Sequence, residues 1–140
     1  MAKRKDKTNN LIKAISIIDY VFAAICFIMA FLLIVGGSII SSLGFIQEAI
    51  FSKLALPTDL ASGIISGLLI VGAIILVGIG IFYIYLGKAI SKRKYWAKIA
   101  QIIVAILVHL FSFPIGTAVA VFELYVLLFN KETKTLFSKW

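Results

Sequence analysis

Glu123 and His109 are the only acidic or basic side chains in the otherwise apolar stretch 99–130, so chemistry in this part of the chain has to start from them. A carboxyl group deep in a membrane-spanning helix is costly. By default it faces a bundle interior or a water-filled path and marks a proton- or cation-coupling position. The simpler reading of Glu123 is a hydrogen-bonded acid that ties helices together. His109 is its candidate partner. It lies about five residues before a turn at Pro114–Ile115 and Glu123 about eight after it, so at 1.5 Å per residue their depths differ by roughly 4–5 Å. A direct or water-bridged contact is then within reach, but helix rotation decides it, and the spacing leaves rotation open. The simpler reading of His109 is capping or packing near the outer interface. If the pair does titrate, Glu123→Gln should abolish its pH-dependent behaviour. Asp19, beside Tyr20 at the inner end of the first apolar run, is expected to face the interface. It could also pair with a base in the middle loop, or with Gln101 at similar depth.

Other chemistries lack their residues. With one histidine and one cysteine (Cys26) no zinc or haem ligand set can be assembled, and no metal or other cofactor is expected. Cys26 allows no intrachain disulfide and reads as a small packed hydrophobe. No Gly-rich phosphate loop, Ser–His–Asp set or paired carboxylate motif occurs, so the chain is not expected to be an enzyme.

The elements that would position these residues follow from composition and charge. The 140 residues are 62% hydrophobic and 14% charged, far from the roughly 45–50% and 25% of soluble domains. The net charge is +8. Thirteen of the fourteen Lys and Arg residues lie in residues 3–13, 88–98 and 131–139, and only Lys53 lies elsewhere. Charges that flank apolar runs, instead of lining one folded face, argue against nucleic acid as a partner. They argue for cytoplasmic loops, because Lys- and Arg-rich loops stay on the inner side, and for attraction to anionic headgroups.

The expected architecture is an all-α integral membrane protein, a single membrane domain over 1–140 with four transmembrane helices in a bundle. Residues 1–14 form a basic cytoplasmic tail and 15–40 the first span, an apolar run too long for a signal peptide and so expected to be a retained anchor. In residues 44–56, Ile46, Ile50 and Leu54 recur away from Gln47, Glu48, Ser52 and Lys53, the period of a short amphipathic helix on the outer surface. Pro57 ends it, and Thr58 or Asp59 can cap the second span, 60–86. A basic cytoplasmic loop occupies 87–94. Tyr83, Tyr85, Tyr95 and Trp96 bracket it and fit an aromatic belt. Pro114 and Gly116 split the long apolar stretch into spans 95–113 and 115–129. One Pro-kinked span is the alternative, against which the basic tail 130–140 argues by requiring the C-terminus inside. The last helix could extend through Asn130–Phe137, with Lys131 and Lys134 reaching the headgroups. Small residues that let backbones approach nominate Gly63, Gly67 and Gly72 on the second span, and Gly116 and Ala120 on the fourth, as the packing face.

The last third carries a resemblance. Tyr95-Trp96-Ala97-Lys98, then Phe113-Pro114-Ile115-Gly116-Thr117, then the run from Leu124 to Lys134 and finally Leu136-Phe137 resemble a C-terminal pattern of small four-helix prokaryotic membrane proteins of unknown function. In these a P-x-G-T hairpin turn leads into an LYVLL-N-x-E-T-K tail. The resemblance covers about 45 residues and implies location in the plasma membrane of a prokaryote, without an assigned activity. In similar chains the position of Glu123 is usually small or apolar, which makes Glu123 particular to this one.

Two functions follow as expectations. The first is a non-enzymatic structural or accessory subunit, packed in the lipid bilayer with itself as a homo-oligomer or within a larger membrane complex. The second is a small oligomeric transporter or channel that uses Glu123, with His109, as a proton or cation site. It is like small multidrug exporters in outline only, since those carry their carboxylate in the first span.

Overall fold

The computed structural model describes residues 2–42, 58–109 and 114–137. Among them no strand occurs. The elements are helices α1 (Ala2–Ser42), α2 (Thr58–Ser91), α3 (Tyr95–Val104, continued by a π-turn over Ala105–His109), α4 (Ile115–Leu124, continued by a π-turn over Tyr125–Phe129) and the short α5 (Lys131–Phe137). Two stretches, Thr8–Ile39 and Gly63–Ser91, are long and apolar enough to cross a membrane. The expected interfacial helix 44–56 lies outside the described residues.

The chain divides into two compact units, Met1–Val21 with Tyr83–Trp140, and Phe22–Phe82. In the first, each helix buries one stripe. On α1 these residues are Thr8, Ile12, Ile15, Ser16 and Asp19, and on α2 Tyr83, Leu86, Gly87, Ala89 and Ile90, both following the three- and four-residue spacing of a single helix face. Ile12, Ile15, Leu86, Ala89, Ile90, Ala97, Val126, Leu127 and Phe137 form the apolar core.

α3 buries Ala97, Gln101, Ala105 and His109, every fourth residue. Four residues overshoot a 3.6-residue turn by about 40°, so in a regular helix His109 would drift off the face that Gln101 occupies. The π-turn, bonded i→i+5, winds each residue through less rotation and brings His109 back toward that face.

In the second unit the two helix segments run antiparallel. Gly80 meets Phe27, Gly72 meets Leu33 and Gly37 meets Leu69, so numbering falls on one helix as it rises on the other. At Gly37 and Gly80 an added Cβ would lie 2.8 Å from Leu69 Cδ1 and 3.0 Å from Phe27 Cζ. Glycine is what permits those approaches.

Several boundaries differ from the sequence reading. Residues 2–14 continue α1 instead of forming a separate tail, because Thr8 and Ile12 extend its buried stripe. The basic loop 87–94 shrinks to 92–94, since α2 runs to Ser91. There Arg93 adopts φ 57°, with Arg93 N–H donating to Ile90 O (2.8 Å) and Lys94 N–H to Ala89 O (3.1 Å). This is a Schellman stop, with arginine at the left-handed position that glycine usually fills. The tail 130–140 is helical over Lys131–Phe137, yet it does not extend α4. Asn130 is extended (ψ 109°), and its side-chain oxygen accepts from the N–H groups of Glu132 and Thr133 (3.0 and 3.3 Å), capping a new helix.

The nominated packing glycines also divide. Gly116 and Ala120 are buried, and Gly72 is in ordinary contact with Leu33. At Gly63 and Gly67 an added Cβ would meet nothing within 4 Å. Their GxxxG spacing is not used for close approach among the described residues. Tyr83, expected in the aromatic belt, is buried, while Tyr85 and Trp96 stack on each other at 5.7 Å.

Candidate functional site

The first unit encloses a continuous chain of polar side chains. Gln101 on α3 is its centre. Its Nε2 donates to Asp19 Oδ1 on α1 at 2.9 Å and to Glu123 Oε1 on α4 at 3.0 Å. Glu123 Oε2 lies 2.9 Å from His109 Nδ1. His109 Nε2 is 3.2 Å from the Tyr83 hydroxyl on α2, and the two rings stack with centroids 6.0 Å apart. The chain therefore reads Asp19–Gln101–Glu123–His109–Tyr83 and draws one or two members from each of α1 to α4. All five side chains are between 0 and 3% exposed.

Local structure explains the convergence. Asp19 continues the buried stripe of α1, and Gln101 and His109 share a face through the π-turn. Glu123 follows Gly116 and Ala120, whose small side chains keep the buried face of α4 slim there. Gly87 supplies the remaining space, since a Cβ there would lie 3.1 Å from both Asp19 Cβ and the Ser16 carbonyl oxygen.

The hydrogen-bond roles are constrained. The tautomer of His109 decides both of its contacts: a ring that donates from Nδ1 to Glu123 accepts at Nε2 from the Tyr83 O–H, and one that accepts at Nδ1 donates from Nε2. Gln101 donates both amide hydrogens to carboxylates, and this orients the amide. Within this network two acceptors have no hydrogen-bond partner among the described residues, Asp19 Oδ2 and Gln101 Oε1; outside it the same holds for Thr133 Oγ1. Neither Asp19 nor Glu123 forms an ion pair with a lysine or arginine there; the pairing that Glu123 makes is with His109.

A second polar row lies beside Asp19. Exposed Ser91 donates through Oγ to Ser16 Oγ (2.8 Å), and Ser16 donates to Gly87 O (2.8 Å). At the basic end, Arg93 Nη2 donates to Asn9 Oδ1 (2.7 Å) and Thr8 bonds Glu132.

The structure thus places four sequence candidates, Asp19, Gln101, His109 and Glu123, in one network. Asp19 is buried against Gln101; it neither faces the interface nor pairs with a loop base. Sequence reasoning missed Tyr83, Ser16 and Gly87. The i, i+3, i+4, i+7 face of Tyr83, Leu86, Gly87 and Ile90 is the signal that carries Tyr83 and Gly87. No group of three or more His, Cys, Asp or Glu residues suited to a metal ion occurs among the described residues. No family model matches the chain, and neither the curated proteins nor the solved structures contain a match.

Proposed function

We propose that this protein is an integral membrane protein of a prokaryotic plasma membrane, crossing it with α1 to α4 and keeping both ends in the cytoplasm. It works as a non-enzymatic structural or accessory subunit, alone as an oligomer or in a larger complex. The buried chain from Asp19 to Tyr83 carries this reading. A hydrogen-bonded network that draws on four helices fixes their rotation and register, which is what a tie between helices requires. In hydrocarbon such bonds contribute about 0.6 kcal/mol each on average, with a maximum of about 1.7.

Further support comes from the surface. Phe31, Leu68, Ile74, Leu107, Tyr125 and Phe129 are each more than 60% exposed, which suits lipid or partner helices better than water. Tyr95–His109 and Ile115–Phe129 each reach about 22 Å, so a bilayer of ~30 Å would have to thin around them or receive further turns.

Two measurements test the proposal. A C-terminal reporter should be cytoplasmic, and an extracytoplasmic one refutes the four-span topology. Affinity purification in mild detergent with native mass analysis should give a defined oligomer or stoichiometric complex that survives Glu123→Gln. A monomer showing Glu123-dependent ion flux in proteoliposomes would replace the structural role with transport.

A further inference from the structure

Two acceptors of the buried network, Asp19 Oδ2 and Gln101 Oε1, have no donor among the described residues. Asp19 and Glu123 are bridged by one amide, with His109 as the one facing cationic group available to them among the described residues. An imidazolium offsets one carboxylate at most. The groups facing Asp19 from the other helices are Gln101 and, through it, Glu123 from α3 and α4, and Gly87 from α2; none supplies a charge of opposite sign. Two buried carboxylates with a single compensating charge are unfavourable. The deficit falls on Asp19, a fully buried residue whose Oδ2 has no donor, as is true of Gln101 Oε1 on the same amide.

We infer that Asp19 and Gln101 form a binding site for one monovalent cation, Na+ or a proton, reached from the basic end of the protein past Ser91, Ser16 and the Gly87 carbonyl. The proposal rests on the membrane-embedded reading and names the ligand of its network. A row of oxygens hydrogen-bonded to one another, the Ser91 and Ser16 hydroxyls and Gly87 O, runs from an exposed residue to the backbone beside Asp19. Ser16 and Asp19 lie three residues apart on one face of α1. Carboxylate, carbonyl and hydroxyl oxygens suit hard cations. The row favours a metal cation over proton hopping, because it ends on a carbonyl, which accepts and does not donate.

The test uses full-length protein in detergent. Tm is measured while NaCl replaces choline chloride at constant ionic strength, over a range of pH. A site that binds the folded state raises Tm with the logarithm of cation concentration beyond saturation. The expected result is a Na+-specific rise that continues with the logarithm of Na+ concentration, abolished in Asp19→Asn and weakened in Ser16→Ala, with saturable 22Na+ binding lost in parallel. A rise on acidification that is insensitive to Na+ and abolished in Asp19→Asn identifies the occupant as a proton. No cation-specific or Asp19-dependent shift in the wild-type protein overturns the inference, and it does so even if Asp19→Asn fails to fold. The membrane reading fails separately, through the C-terminal reporter, so the two failures are distinguishable.

Discussion

Replacing Gln101 by leucine removes the centre of the network while keeping side-chain volume close to constant. Two bonds are lost, at 2.9 and 3.0 Å, each to a carboxylate oxygen of a fully buried residue. Leaving a buried acceptor unsatisfied costs about 1–3 kcal/mol, which puts the pair at roughly 2–6. Bonds within membranes measure less, about 0.6 on average, which puts a floor near 1.2 kcal/mol. Leucine also removes the orphan Oε1 and so recovers part of the loss. The expected destabilisation is about 2–4 kcal/mol. It is read as a shift of the SDS-unfolding midpoint in mixed micelles, with Ser38→Ala as the control. Ser38 Oγ donates to Ile34 O of its own helix on an exposed face, and its loss should change stability by less than about 0.5 kcal/mol. If Gln101→Leu stays within about 0.5 kcal/mol of wild type, the polar chain does not hold α1, α3 and α4 together, and the structural role assigned to it fails.

The glycines give a second contrast. Gly87→Ala should destabilise by about 1–3 kcal/mol, since the Ser16 carbonyl cannot rotate away as a side chain would, whereas Gly63→Ala should be neutral or stabilising; equal effects in thermal melts would contradict the placement of Gly87. A double-mutant cycle between Glu123→Gln and His109→Phe should return a coupling of about 0.5–3 kcal/mol, and additive losses would show that the 2.9 Å contact carries no energy. Asn130→Ala should loosen α5 alone at a cost of about 1 kcal/mol, visible as faster amide exchange over Lys131–Phe137 with α4 unchanged; protection that stays the same would remove Asn130 as the cap.

The properties legible in the residues alone are those that live in one dimension. The long apolar runs, the basic residues near their ends and a helix start after Pro114 each follow from composition over a window; the runs appear in the helices observed and α4 begins at Ile115, while residues 110–113 lie outside the described residues. Glu123 and His109 were legible as candidates because a charge in an apolar run stands out without any knowledge of its neighbours. Their 2.9 Å contact depends on helix rotation, which the π-turn at Ala105–His109 adjusts and no residue type there announces. The Schellman stop at Arg93 was hidden for a similar reason, since it lacks its usual glycine. Gly63 and Gly67 had the motif without a neighbour among the described residues, and Gly87 had the neighbour without the motif. Close approach is a relation between two helices, and only their packing could decide which glycine is pressed against Asp19.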